Sequence, residues 1–245
     1  MPEQKQTPFS RIAMAAAAML VRPFASAAGA AAATVSFLRG TRDPFIGSSQ
    51  SAALERIDTR NWTPPLLKQL EWRRFEELCA AYFEALGFRT RIVRSGTGGG
   101  VDIHLVAGES DRTAIVVHSK AWDAYRVGIK AARELRSAMS AAHAGEGVLV
   151  TSGRFTQEAI AFARKENIQL IDGADFLGKI AALEPEKALA LLKLATQGDF
   201  LTPTCPSCCI KMISRKSTNE GRNFWGCRNY PGCKHMLSGT ANAPA

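Results

Sequence analysis

Between residues 66 and 86 apolar side chains return every three or four positions: Trp72, Phe75, Leu78, Cys79, Tyr82, Phe83 and Leu86. That period gathers them on one side of an α-helix, so a helix is predicted over 66–86. At about 100° per residue, Glu77 and Glu84 point away from this stripe. Glu76 does not; it falls between Trp72, Cys79 and Phe83, at the rim of the buried side. A carboxylate there needs a partner or a metal. An arginine partner or plain exposure at the rim accounts for it equally well.

Beyond Gly87 the period drops to two. A short strand is predicted near 90–93, then a glycine-rich turn over 96–100, then two strands. Val101, Ile103 and Leu105 fill one side of the first of these, while Asp102 shares the other side with His104. In the second, His118 shares a side with Lys120. A helix over 127–144 turns Val127, Ile129, Ala132, Leu135 and Met139 inward and leaves Lys130, Arg133 and Arg136 outside. The apolar run GVLVT (147–151) reads as a strand, 156–165 as a helix and 168–171 as another buried strand. Helices follow over 174–195, broken near Pro185. Helices alternating with short apolar strands imply an α/β core, a sheet covered by helices.

The ends of the chain read differently. Residues 1–42 are alanine-rich, with apolar runs at 12–21 and 24–38 separated by Arg22 and Pro23. A central arginine costs about 2.5–3.5 kcal/mol in a membrane span, which cancels the gain from the apolar residues around it. Arg11 and Ala25-Ser26-Ala27 also resemble a secretory signal, but export fits poorly with the cysteine usage described below. Membrane contact through residues 12–38, as a surface helix or weak tether, competes evenly with a loosely ordered extension. Gly47-Ser48-Ser49 and Pro64-Pro65 mark 43–65 as a linker. The expected division is therefore 1–42, 43–65, a domain over 66–195 and a small module over 202–238.

A net charge of +9 favours an anionic partner, nucleic acid first. Five of the six cysteines crowd between 205 and 233, which points to metal in a reducing compartment and a cytoplasmic location. Cys205 and Cys208 form a C-x2-C knuckle; Cys227 and Cys233 supply a second pair. Four thiolates in two close pairs suit one tetrahedral Zn²⁺. Cys209 adjoins the knuckle without the intervening residues a ligand loop needs. Around these cysteines Lys211, Arg215, Lys216, Arg222, Arg228 and Lys234 oppose Glu220, with Phe224, Trp225 and Tyr230 interleaved. Cations can hold phosphates while bases stack on aromatics, so this module is expected to bind DNA, single strands included. The aromatics can instead form the module's own small core, Phe224 above all.

If the strands bearing Asp102 and Lys120 pair as neighbours, a carboxylate, an imidazole and an ammonium converge on one small volume. That combination suits a divalent metal and a phosphodiester.

Residues near 68–183 resemble the Mrr-type restriction endonuclease domain of the PD-(D/E)xK superfamily. The resemblance runs through RFEELCAAYFEALGF, GGGVDIHL, VVHSKAW, VGIKAARELRSAM, LVTSGRFTQEAIAFA and IQLIDG. Residues 205–234 look like the four-cysteine zinc ribbon at the C-terminus of bacterial type I topoisomerases. Together they imply a restriction-endonuclease-like core, a central mixed sheet flanked by helices, followed by a zinc ribbon.

The resemblance also assigns roles. Asp102 matches the metal-binding aspartate, Lys120 the lysine of the (E/Q)-x-K element, and Glu76 the acid of the first helix. The implied reaction is hydrolysis of DNA phosphodiesters, with Mg²⁺ or Mn²⁺ held by Asp102 and Glu76. Lys120 orients the attacking water or neutralises the phosphate, and Lys130 and Arg133 lie within reach of the DNA. Superfamily relatives often act as dimers, which makes a homodimer a candidate assembly. The chain departs from the pattern at His118, where relatives carry Glu or Gln, and at Gly98, where they often carry Asp. Imidazole is a poor ligand for Mg²⁺ and an acceptable one for Mn²⁺. A DNA-binding protein that cleaves weakly or not at all is the rival expectation. His104 and His143 read as structural, and Ser152 and Thr156 as turn and cap groups.

Overall fold

The computed structural model describes residues 57–95, 100–106, 112–121, 126–217 and 223–238. The apolar runs between 12 and 38, the glycines at 96–99 and Arg222 lie outside the described residues. Among the described residues no helix is long and apolar enough to cross a membrane.

The stripe predicted as one helix forms two, α1 (Pro64–Gln69) and α2 (Trp72–Ala85). Pro64 and Pro65 open α1 rather than close a linker, because proline suits the first turn, where its missing N–H is not needed. Thr63 caps α1 by accepting from Leu66 N at 3.2 Å. The break comes at Glu71, whose extended backbone cannot continue a helix. Its carboxylate accepts from Arg73 N at 3.0 Å and so caps α2.

Next come β1 (Arg89–Ser95), β2 (Gly100–Val106), β3 (Thr113–Lys120), α3 (Ile129–Ala141), β4 (Glu146–Thr151), α4 (Gln157–Lys165), β5 (Ile168–Ile171), α5 (Gly173–Ala181) and α6 (Pro185–Thr196). The five strands form one sheet in sequence order. β1, β2 and β3 run antiparallel, and β3, β4 and β5 run parallel. This is the mixed sheet between helices that the alternating pattern implied.

The two faces differ in chemistry. One carries Ile103, Leu105, Ile115, Val117, Val148 and Val150, packed against α2, α5 and α6 through Phe75, Phe83, Phe176 and Leu191. Phe75 and Tyr82 meet the Phe176 ring edge to face at 5.9 and 5.2 Å. On the other face Val116 and Leu149 lie under α3 and α4, with Ala132, Leu135, Met139, Ala159 and Ala163. A Cβ on Gly147 would stand 2.5 Å from Met139 Sδ, so a larger residue there would displace the methionine thioether that packs α3 onto β4. Under strand alternation, the residues between the apolar ones of β2 and β3 share this second face: Asp102, His104, His118 and Lys120.

The C-terminal module is a three-stranded antiparallel sheet of β6 (Ile213–Lys216), β7 (Asn223–Gly226) and β8 (Met236–Ser238). Its core is Cys205, Met212, Trp225 and Cys227. It is fastened to the central domain at the start of α2. Thr204 donates to Glu71 through its N–H at 3.2 Å and its hydroxyl at 2.9 Å, and Lys211 Nζ donates to Glu71 at 3.1 Å. The Trp72 indole donates to Thr204 O at 2.8 Å, and Glu71 N donates to Phe200 O at 2.9 Å. Glu71 is buried, and these bonds satisfy its charge.

Candidate functional site

β2 and β3 pair so that Asp102 stands directly opposite His118. Both are buried, at 4% and 8% exposure, and the His118 ring Nε2 lies against Asp102 Oδ1. Two places along β2, His104 Nδ1 sits 3.1 Å from Thr113 Oγ1, which also accepts from Arg91 Nη2 at 3.2 Å. The Thr113 hydroxyl thus ties β3 to both Arg91 on β1 and His104 on β2. Burial is the largest cause pulling the His104 pKa down; Asp102 opposes it, while Arg91 and His118 add to it.

Lys120 ends β3 on the same face. Its carbonyl accepts from Thr151 Oγ1 at 2.9 Å, and Thr151 Oγ1 accepts from Gly153 N at 3.1 Å, so the last residue of β3 is tied to the last of β4. Its ammonium lies 3.6 Å from Glu134 Oε2 on α3.

The structure thus sets Asp102, His118 and Lys120 on one face and adds Glu134, which the sequence pattern of α3 does not single out. Glu76 is not on that face. It is half-buried on α2, which covers the opposite side of the sheet, and it adds to the rise that burial imposes on the Cys79 thiol. A helical wheel reports how deep a residue sits, not which side of the sheet its helix will cover. Among the described residues, only the four cysteines form a group of three or more His, Cys, Asp or Glu ligand atoms close enough for one ion. Asp102, His118 and Glu76 do not make such a group. The donors that the Asp102–His118 pair itself offers are one carboxylate and one imidazole. Oxygen and nitrogen together suit Mn²⁺ better than Mg²⁺, with water and phosphate oxygens left to fill the remaining positions.

In the C-terminal module the ligand atoms of Cys205, Cys208, Cys227 and Cys233 all lie within 4.8 Å of one another. Cys205 Sγ and Cys233 Sγ are 3.8 Å apart. A tetrahedron with Zn–S bonds of about 2.3 Å has an edge of roughly 3.8 Å, so the four thiols fit zinc. Burial, with a further push from the three neighbouring thiols, drives Cys227 up to about 12 against one lowering N–H from Asn229. A cation is what would let such thiols ionise together. Cys209 is exposed and outside the group; its N–H donates to Cys205 O at 2.9 Å, with a left-handed φ of 57°.

Two expectations for the ribbon's DNA contacts change. Lys211 is spent inside the protein on Glu71 and on Thr202 O, the latter at 2.8 Å. Trp225 is 4% exposed and forms the ribbon's core, while its neighbour Phe224 is only half-buried, the reverse of the sequence reading. In a two-faced strand one of two adjacent aromatics must turn outward, and the cysteine cage decides which. Tyr230 is 61% exposed, with the Arg215 guanidinium 5.6 Å from its ring centre. Arg228 and Lys234 are exposed. Lys130 and Arg133 are exposed on α3, Arg133 lying 6.0 Å from the Phe162 ring. Thr156 caps α4, accepting from Ala159 N at 3.3 Å, as its sequence position implied.

A search of curated proteins finds no match. Three solved structures are similar to part of the chain. EndoMS in its apo form is 19% identical, covering 41% of this chain and 44% of its own, with a TM-score of 0.33. The MspJI restriction endonuclease in complex with a 27-mer oligonucleotide is 19% identical, covering 54% and 34%, with a TM-score of 0.36. The DNA modification-dependent restriction endonuclease AspBHI is 22% identical, covering 64% and 44%, with a TM-score of 0.39. The chain thus spans less than half the length of each. Residues 67–180 match the family model Mrr_cat, described as restriction endonuclease, over just under half of the chain. That stretch runs from α1 to α5 and holds every residue of the polar sheet face. The central domain of this chain is thus similar, over residues 67–180, to the restriction endonuclease domain that the Mrr_cat model describes.

Proposed function

We propose that the protein is a metal-dependent DNA endonuclease whose zinc ribbon helps to hold the DNA. The observation that carries this reading is the direct opposition of Asp102 and His118, with Lys120 on the same face, inside an Mrr_cat domain. Asp102 and His118 would hold the ion, Mn²⁺ in preference to Mg²⁺. When bound, the ion supplies polarisation of a phosphoryl oxygen and easier ionisation of water. Lys120, at the open end of β3, neutralises charge on the phosphate undergoing attack. Glu76 would have to come round the strand ends from the other helix layer, so its assigned contact is through water. Lys130 and Arg133 on α3, with Arg215, Arg228 and Lys234 on the ribbon, would hold phosphates, and Tyr230 would offer a stacking face. Arg222 belongs to this proposal by sequence alone.

A second reading is a DNA-binding protein on a nuclease fold, favoured by one contact: His118 already engages the Asp102 oxygen that a metal would need. Plasmid cleavage separates the two. The full-length protein is expected to nick plasmid faster with Mn²⁺ than with Mg²⁺. Asp102→Asn and Lys120→Ala should each lose about a hundredfold or more. A wild-type protein that binds the plasmid but leaves it intact with both metals would remove the enzyme reading and leave the second.

A further inference from the structure

In this β3 the residue two places before the lysine is an imidazole, so the strand itself brings no carboxylate beside Lys120. The structure supplies one from elsewhere. Glu134 Oε2 approaches Lys120 Nζ at 3.6 Å, from α3 and over the same sheet face as Asp102. We propose that Glu134 is a positioning residue for Lys120, holding its ammonium over the polar face in the absence of substrate. The inference rests on the nuclease reading above for its catalytic meaning, though not for the pairing itself.

Four observations support it. A lysine at a strand end has four rotatable bonds and would otherwise sample many positions, which a phosphate would have to narrow on binding. The backbone beneath it is already fixed, since Lys120 stands in register with Thr151 and accepts from its hydroxyl. The helix that bears Glu134 is seated as well, because Leu135 and Met139 pack α3 closely onto Gly147. Finally, Asp102 is taken by His118, so the acid set against Lys120 is Glu134.

Stability is a poor explanation for the pair. The two side chains are 37% and 46% exposed, and exposed pairs contribute little to folding. What the pair does fix is place. Arg133, beside Glu134 in sequence, faces solvent near Phe162 and does not compete for Lys120.

Two measurements on full-length protein test the proposal. In the first, brief acylation of lysines is followed by peptide mass spectrometry. Lys120 should label roughly threefold faster in Glu134→Gln than in wild type, the scale of one exposed ion pair, with Glu134→Asp close to wild type. Equal labelling in wild type and Glu134→Gln would overturn the pairing, whatever the protein does to DNA. In the second, plasmid cleavage with Mn²⁺ is followed at varied DNA concentration. Glu134→Gln should lose roughly threefold in kcat with KM unchanged, and Glu134→Asp should recover most of the loss. Unchanged kcat in Glu134→Gln, or a loss carried by KM, would overturn the positioning role. A wild type inert with both metals would remove the nuclease reading and the catalytic role with it, while the labelling result would still stand.

Discussion

Cys205 reaches Cys208 through one tight turn, whereas Asp102 meets His118 only after a second strand has folded back beside the first. The four-cysteine centre is complete in its own side chains. Its ligand atoms converge within 4.8 Å, and the ribbon around them has little other core. The Asp102 face is assembled from two strands and a helix, and it is incomplete as a metal site in its own side chains. The contrast teaches that a closed centre draws its whole ligand set from its own side chains. A centre used for chemistry can leave positions open for water and substrate.

The largest effect should follow from breaking the closed centre. Cys227→Ser is expected to lower zinc from about one per chain to almost none, because apparent binding energies of about 10–16 kcal/mol for structural zinc depend on the full thiolate set. Atomic absorption on the purified variant checks this, and full zinc retention would undo the contrast.

Next comes the joint between the two regions. Glu71→Gln removes the charge that Lys211 and Thr204 share and should cost about 2–3 kcal/mol. Thermal unfolding should show the loss with zinc content unchanged, and hydrogen exchange should rise at 202–204. If exchange there stays as in wild type, the ribbon is held by something other than Glu71.

A smaller effect separates the ribbon's two kinds of aromatic. Tyr230→Ala should weaken binding of a single-stranded oligonucleotide by about 1–2 kcal/mol at fixed salt, read by fluorescence anisotropy, without changing the melting temperature. Trp225→Ala should do the reverse and lower the melting temperature first. Equal effects of both on binding alone would erase the distinction between core and platform.

The smallest effect belongs to the polar face. Burial holds the His104 pKa below its ordinary value. The unfolded chain therefore takes up this proton at higher pH than the folded one. The stabilisation is complete above about pH 6.5 and is lost as pH falls through the folded value. The fall in melting temperature between pH 7 and pH 5 should be shallower in His104→Gln than in wild type. An identical slope in the two would show that His104 does not contribute to it.

Much of this could be read from residue order. The switch from a period of about four to a period of two marked where α2 ends and β1 begins. The spacing of Asp102 from His104, and of His118 from Lys120, put each pair on one side of its strand. The two cysteine pairs announced their own centre. What escaped depends on partners far along the chain. The α1–α2 break at Glu71 has its cause 133 and 140 residues later, at Thr204 and Lys211. The same distance hid the diversion of Lys211 from any DNA contact. Glu134 stood unremarked because nothing in α3 alone reveals that a strand terminus lies beneath it. Glu76 read correctly as a rim residue, but the side of the sheet its helix covers is a property of the packed layers.

The bond cluster at Glu71 has a geometric result of its own. The carboxylate, the Trp72 indole and the Lys211 ammonium all join one short stretch of backbone, so the ribbon is anchored through several bonds at once rather than through the chain alone. If the ribbon holds DNA as proposed above, this anchorage would set the offset at which that DNA meets the sheet.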